Sequence, residues 1–410
     1  VSGFNPSQVS FAAGEVSPRL HGRVDAELYG KALKRCENFK PEPQGPALMR
    51  AGSWLQATWP DADHPRLFEM RLLGSDEDYV VAVGASKVRL YSKSGGLISW
   101  RTNLVTNGTF DADLSGWTVT GSFALWYGGT AKFTSNPPFG GTGVITQAVP
   151  TIAGHVYRLN GRVRCDAPTS GTSRFFIIDA DGVTIDAALA VTVEWKSFSY
   201  TFTATDASTD LAFWGQVTNS QSPVYLDDVV VYDEGGALAS EFTSPWSSGQ
   251  LAAVQYSPEL SKGRVFFVHR EVEPYILVSP ATDVVEFAAA TFANQPPSWG
   301  GANWPGVVES GFQGRLWVAS TPADPHVFWA SKSGSPFDFG LGTGLASEGM
   351  SFSVTTKGEL EWMQGQRVML VGSEAAEHAM TSASGLIKTS DIDIQDASGF
   401  GSAPLQARHI

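Results

Sequence analysis

Residues 104–233 read as a self-contained β-sandwich spliced into a different, repetitive β-rich body. This interruption constrains the fold of the 410-residue chain more than any other feature. The segment opens on residues 103–117 (NLVTNGTFDADLSGW) and closes on residues 224–235 (VYLDDVVVYDEG). A body that accepts an insertion of this size must bring the two ends of the insert together at a surface loop. The expected fold class is therefore all-β: a propeller-like or β-rich body, an inserted sandwich of jelly-roll type and an N-terminal arm. The boundaries follow the changes of pattern: an arm with a short helix over 1–50, the first part of the body over 51–103, the insert over 104–233 and the second part of the body over 234–410.

Composition agrees with many short strands. Charged residues make up 17% of the chain, below the usual quarter or so, while 43 glycines, 13 tryptophans and 24 phenylalanines suit tight turns and small aromatic cores. The net charge of -13 does not suit a phosphate-backbone binder. The richest basic patch, Lys31, Lys34, Arg35 and Lys40, is diluted by Glu37 and Glu42 and reads as a solvated face. Cys36 and Cys165 have no metal or redox spacing and are expected as two free, buried thiols. No apolar run reaches the length that spans a bilayer. The first residues lack a basic segment followed by an apolar one, which reads against a signal peptide, and a start at Val1 suggests a removed initiator methionine or a trimmed chain.

Five prolines between 6 and 46 keep the arm irregular, apart from a helix expected over 25–38 from the spacing of Leu28, Ala32, Leu33 and Cys36. Residues 66–71, 79–83 and 87–91 alternate or run apolar and form a meander. In the insert, eight strands are expected, at 123–127, 130–133, 143–149, 156–163, 174–178, 195–202, 210–214 and 225–232, with Trp117 and Trp195 in the core. After 236 the pattern becomes repetitive: strand, small turn, apolar strand at 251–278, 312–331 and 359–373. That rhythm argues for an array of about four or five blade-like sheets. The set is completed within 410 residues, continued in a longer chain or sealed by a partner.

The insert's Asn-Gly-x-Phe opening and its Asp-Asp-Val close resemble the carbohydrate-binding jelly rolls attached to glycoside hydrolases. That resemblance implies adjacent chain ends and a structural calcium ion, for which Asn107, Asp111 and Asp227 stand at the matching positions. Sugar binding would use exposed rings, with Trp126, Tyr127 and Trp214 as the candidates for stacking; core filling is the alternative for each. Body motifs resemble the tail nozzle or tail-tube proteins of short-tailed bacteriophages. These are Gly14 to Pro18, Arg23 with Asp25, Cys36 to Phe39, Pro43 to Gly45 with Arg50 and Gly52, and the later segments 312–339 and 369–385. His378 stands where the family places tryptophan, and LQARHI is similar to an internal segment there.

This second resemblance implies a virion location in the tail and a homohexameric ring below the portal or head–tail adaptor. It also implies a channel for DNA ejection and contacts with tail fibres or spikes. The insert would then be placed for host attachment, including a host surface glycan. Two alternatives remain, a carbohydrate-binding receptor-recognition protein and, behind it, a glycan-degrading enzyme. No catalytic site is expected. The seven histidines lack metal spacing, no serine sits in a Gly-x-Ser-x-Gly elbow, and Asp76, Glu77, Asp78, Asp186, Glu271 and Glu273 form no carboxylate pair set across a cleft.

Overall fold

The computed structural model describes residue 8 and residues 10–406, apart from 24, 50–54, 73–74, 76, 135–141, 167–171, 180–181, 217–222, 260–261, 343, 355–357 and 389. Residues 50–52, 76 and 407–410, which the sequence reading used, lie outside the described set. The chain divides into two compact units, Val1–Thr58 and Trp59–Ile410.

In the first unit, β1 (Gly14–Glu15) pairs in parallel with β2 (Ala32–Leu33), and β3 (Phe39–Pro41) pairs antiparallel with β4 (Ala47–Met49). The helix expected over 25–38 does not form. A single 3-10 turn at Tyr29–Lys31 gives way to extended backbone at Ala32 (φ -98°, ψ 155°). Gly30 in that turn is a poor helix former. The backbone beyond it bonds elsewhere, Ala13 N–H to Lys31 O and Val16 N–H to Leu33 O. Cys36, expected buried, is half-exposed, and its N–H donates to the Glu15 carboxylate at 2.7 Å.

The second unit begins with an antiparallel meander of β5 (Arg66–Arg71), β6 (Asp78–Val83) and β7 (Lys87–Tyr91). Strand periodicity of two sends Phe68, Met70, Val81, Val83, Val88 and Leu90 to one face, where all are buried. The chain then leaves the sheet to build the sandwich. Its strands are β8 (Thr118–Thr120), β9 (Ala124–Trp126), β10 (Ala131–Phe133), β11 (Thr142–Pro150) and β12 (Val156–Cys165), then β13 (Thr172–Asp179), β14 (Gly182–Ala190), β15 (Lys196–Thr203), β16 (Ser208–Gln216) and β17 (Val224–Asp233). They form two five-stranded sheets, β15-β12-β17-β10-β9 and β14-β13-β16-β11-β8. All the pairings are antiparallel. Leu159, Val163, Leu226 and Val231 from the first sheet meet Ile145, Val149, Leu211 and Phe213 from the second, and Phe110 and Trp117 close the end. Two strands beyond the eight expected are β8, a three-residue edge, and β14, whose Ala-rich sequence has weak strand propensity but pairs with β13 along its length.

The ends of the insert meet. Leu104 N–H donates to Val231 O at 2.8 Å, and Trp100 and Ala239 exchange backbone hydrogen bonds of 2.8 and 2.9 Å. The next strand, β18 (Phe242–Thr243), then adds to β7, with Phe242 opposite Val88. Strands before and after the insert thus complete one four-stranded sheet, β18-β7-β6-β5. Three more such sheets follow in sequence. The second holds β19 (Gln255–Glu259), β20 (Arg264–His269), β21 (Val272–Ala281) and β22 (Val284–Ala289). The third holds β23 (Val307–Ser310), β24 (Leu316–Ala319), β25 (Val327–Ala330) and β26 (Met350–Ser353). The fourth holds β27 (Leu360–Gly365), β28 (Met369–Ser373), β29 (Glu377–Thr381) and β30 (Asp393–Ser398).

The leading strands β5, β19, β23 and β27 pack in succession, and an apolar core lies between each sheet and the next. Trp246 and Phe267 sit in the first core, Trp299 and Phe337 in the second, Trp317 and Met369 in the third. The protein is all-β, a β-rich body of blade-like sheets bearing an inserted sandwich. Because the body ladder closes beneath the insert, replacing residues 102–237 by a short Asn-Gly turn should leave a soluble body. Its near-ultraviolet circular dichroism should keep the tertiary signal of the buried Trp100 and Trp246. A molten spectrum would mean that the body needs the insert to fold.

Candidate functional site

Pleating divides each sandwich sheet into a core face and an outer face. In the sheet containing β16, Ile145, Leu211 and Phe213 point to the core, so their neighbours in sequence point out. Register then builds two rows on that outer face. One runs Thr120, Val144, Trp214 and, beyond β13, Ala188; the next runs Thr118, Thr146, Ala212 and, beyond β13, Asp186. Trp214 lies on the middle strand, half-buried, with Val144 opposite it on β11, Ala212 two residues before it and Thr146 diagonal to it. Asp186, for which the sequence offered no partner, is exposed on the same face. An indole on a sheet face that also carries hydroxyls and a carboxylate has the chemistry to stack a sugar ring and hydrogen-bond its hydroxyls.

The other two stacking candidates are placed differently. Trp126 is half-buried against the sandwich core and its Nε1–H donates to Phe110 O at 2.6 Å, so it anchors the loop. Tyr127 is 55% exposed at a hairpin turn whose Gly128 and Gly129 both have positive φ (55° and 80°). Lys132 Nζ sits 4.2 Å from its ring centroid and the Tyr225 ring 6.1 Å away. Trp195, expected in the core, is instead half-buried on the outer face of the first sheet, where the Arg162 and Arg164 guanidiniums lie 4.6 and 5.3 Å from its ring.

That face packs toward the body, β17 against β21, and leaves a polar cleft of about 650 Å³ between the sandwich and the second and third body sheets. Three carboxylates converge at its sandwich wall. The β12–β17 ladder slips between Asn160 and Arg162, leaving Asp228 in a bulge with φ 52°. Arg162 then binds both Asp227 (Nη2 to Oδ2, 2.7 Å) and Asp228 (Nε to Oδ2, 2.8 Å). Asp111 takes the Thr109 hydroxyl at 2.8 Å. Burial pushes Asp111 up to about 7, against the pull of the Thr109 hydrogen bond and of Arg264. Burial also outweighs Arg162 at Asp227 and Asp228 and raises both.

The structure therefore brings Asp111 and Asp227 together but not Asn107. The Asn107 amide donates to the carbonyls of Asp113 and Ser115, both at 3.0 Å, and holds the 113–115 turn. Calcium takes six to eight oxygens. Among the described residues no group of three His, Cys, Asp or Glu could hold a metal ion, and the counter-charge to Asp227 and Asp228 is a guanidinium.

One constellation escaped the sequence reading. Ser373 Oγ lies 3.2 Å from His378 Nε2, and His378 Nδ1 lies 2.8 Å from Asp396 Oδ1, the order of a hydrolytic triad. Its surroundings forbid that chemistry. Ser373 is fully buried and its hydroxyl donates to Ala376 O at 2.9 Å, so no substrate reaches it. The acids that could mimic a glycosidase pair are also engaged singly, Asp78 by Arg71 and Glu271 by Gln250.

No protein-family model matches the chain, and no curated protein does. Solved structures do show likeness, over about a third of the chain. A structure titled CBM4 structure and function is 21% identical, covering 32% of this chain and 99% of its own, with a TM-score of 0.27. The N-terminal cellulose-binding domain of Cellulomonas fimi β-1,4-glucanase C is 22% identical over 32% and 98%, with a TM-score of 0.26. The enzymatically active domain of bacteriophage CBA120 tailspike protein 4 is 14% identical over 32% and 21%, with a TM-score of 0.26. At these scores none of them bears on what this chain binds.

Two outcomes are expected. Asp111 holds its proton more tightly when folded than its ordinary value of 3.8 allows, so its contribution to stability is full below that pH and is lost as pH rises through about 7. Thermal unfolding followed between about pH 5 and about pH 8 should fall less steeply with pH in Asp111→Asn than in the parent. A fluorophosphonate probe should leave Ser373 unlabelled in the folded chain, as read by peptide mass spectrometry.

Proposed function

We propose that the chain is a recognition protein whose inserted sandwich binds an extended glycan, held away from its own body by the blade-like sheets. The observation that carries this reading is the position of Trp214. It sits half-buried on the middle strand of the sheet turned away from the body, outward by the pleat that sends Phe213 to the core, with Val144 opposite it on β11. Stacking there orients a pyranose, while Asp186, Thr118 and Thr146 supply the acceptors and donors that select among sugars. The role is binding, since no described catalytic group faces a cleft in hydrolytic geometry.

The resemblance of residues 11–52 to nozzle proteins of short-tailed phages supports a finer reading. In it the body belongs to a virion tail, assembled with further copies beneath a portal or adaptor, and the glycan is on a host surface. That placement rests on the resemblance alone. Glycan-array binding by the full chain tests the primary reading. Trp214→Ala should weaken the best ligand by at least about tenfold, while Tyr127→Ala, on a different part of the module, should leave that affinity unchanged. Equal binding by Trp214→Ala and the parent would refute the stacking role. Fractionation of intact particles tests the finer reading, which fails if the chain is recovered only as free protein.

A further inference from the structure

Between the sandwich and the body lies the cleft of about 650 Å³, remote from the Trp214 face because it opens on the opposite sheet. Interfaces inside a folded unit normally pack to the density of a crystal. This one keeps a gap of a size typical of small-molecule sites, which run about 300–1,000 Å³. Its walls come from two differently built bodies. Arg162, Arg164 and Trp195 stand on the sandwich side and Glu259, Lys262 and Arg264 on the body side.

The chemistry of these walls is mixed in a particular way. Most of the charges are already matched: Arg162 with Asp227 and Asp228, Arg164 with Asp166, Arg264 with Glu259. A strongly charged ligand would have to break these pairs. A polyhydroxylated neutral ligand would not, because each hydroxyl can donate to a paired carboxylate and accept from a paired guanidinium. Lys262 is exposed on the body wall, where its charge acts on Asp228 across the cleft and its ammonium offers donors. The Trp195 indole, with the Arg162 and Arg164 guanidiniums 4.6 and 5.3 Å from its ring, adds aromatic surface to the sandwich wall. Two strained positions border the floor. Phe110 (φ 49°) precedes Asp111 and Asp228 (φ 52°) follows Asp227, conformations that bulky or β-strand residues rarely hold without a local reason.

We infer that the junction cleft is a second saccharide site, which takes a short neutral oligosaccharide and binds it to sandwich and body at once. This rests on the glycan reading of the module and adds a site to it. A ligand there bridges two bodies that are otherwise joined at the root of the insert through Asn103 and Arg101 and by the packing of β17 on β21, so occupancy ties the orientation of the sandwich to the presence of glycan.

The test is calorimetric titration of the full chain with β-1,4-linked hexasaccharides of glucose and xylose and with β-1,4-galactotriose. The expected result is two sites per chain. Trp214→Ala should remove one and leave the other; Trp195→Ala should do the converse. Lys262→Ala, an exposed change that does not threaten folding, should weaken the site surviving in Trp214→Ala by about tenfold. Trp195→Phe, which keeps a ring, should restore most of what Trp195→Ala loses. Hydrogen exchange should show ligand-induced protection both at the 128–130 turn and at 262–264. The inference is overturned, with the Trp214 reading intact, if Trp214→Ala abolishes all binding or if Trp195→Ala and Lys262→Ala leave both sites unchanged. If Trp195→Ala abolishes all binding and Trp214→Ala none, the cleft stands and the Trp214 reading falls. Absence of binding by every one of these sugars overturns both.

Discussion

The architecture depends on one side chain at the root of the insert. Asn103 Oδ1 accepts from Val105 N–H at 3.1 Å and from Val231 N–H at 3.0 Å, so a single carbonyl joins the segment that enters the sandwich to β17, its last strand. Its Nδ2 donates to Glu286 Oε1 on β22 at 2.6 Å, which fastens that root to the second body sheet. Arg101 reinforces the joint: its N–H donates to Asp283 O, and its guanidinium binds Asp233 O and lies over the Tyr232 ring. Glu286 is half-buried, and desolvation raises its carboxyl despite the Asn103 hydrogen bond. A buried polar joint of this kind is stable only when every partner is present. It fixes where the module leaves the body, and from that the module's two faces acquire different fates.

One face looks at the body and the other at solvent, and their side chains differ accordingly. The body-facing sheet presents arginines at alternate positions of β12, each given a carboxylate or an aromatic ring. The solvent-facing sheet presents Thr118, Thr120, Val144, Thr146, Asp186, Ala188 and the Trp214 indole. A face that packs against another body needs compensated charge; a face that takes up a ligand needs a flat apolar spot with few competing side chains.

Much of this was legible in the sequence. The insertion was visible because the turn chemistry of Asn107 and Gly108 and the apolar run of 224–232 mark a module with its own alternation. The blade rhythm was visible because β20, β24 and β28 are apolar runs bounded by small turns. What escaped has physical reasons. The 25–38 helix failed because Gly30 and a bond from the backbone at Val16 outweighed a loose apolar spacing. Trp195 was misplaced because a tryptophan in an alternating strand reads as core whichever face it takes, and only the neighbouring arginines of β12 reveal the choice. Trp126 and Trp214 could not be told apart from spacing, since one indole is held by a carbonyl across the sandwich and the other lies on the open sheet. The junction cleft was hidden altogether, because its walls are about 100 residues apart in the chain and meet only through tertiary packing.

The outermost strand of the first body sheet, β18, is reached only after the chain has passed through the whole insert, although its partner β7 ends at Tyr91. Closing such a long loop costs entropy, but the cost grows only with the logarithm of loop length, and a sandwich that collapses on its own shortens the effective loop to a few residues. The first blade therefore cannot receive its edge strand, with Phe242 opposite Val88, until the whole insert has been synthesised.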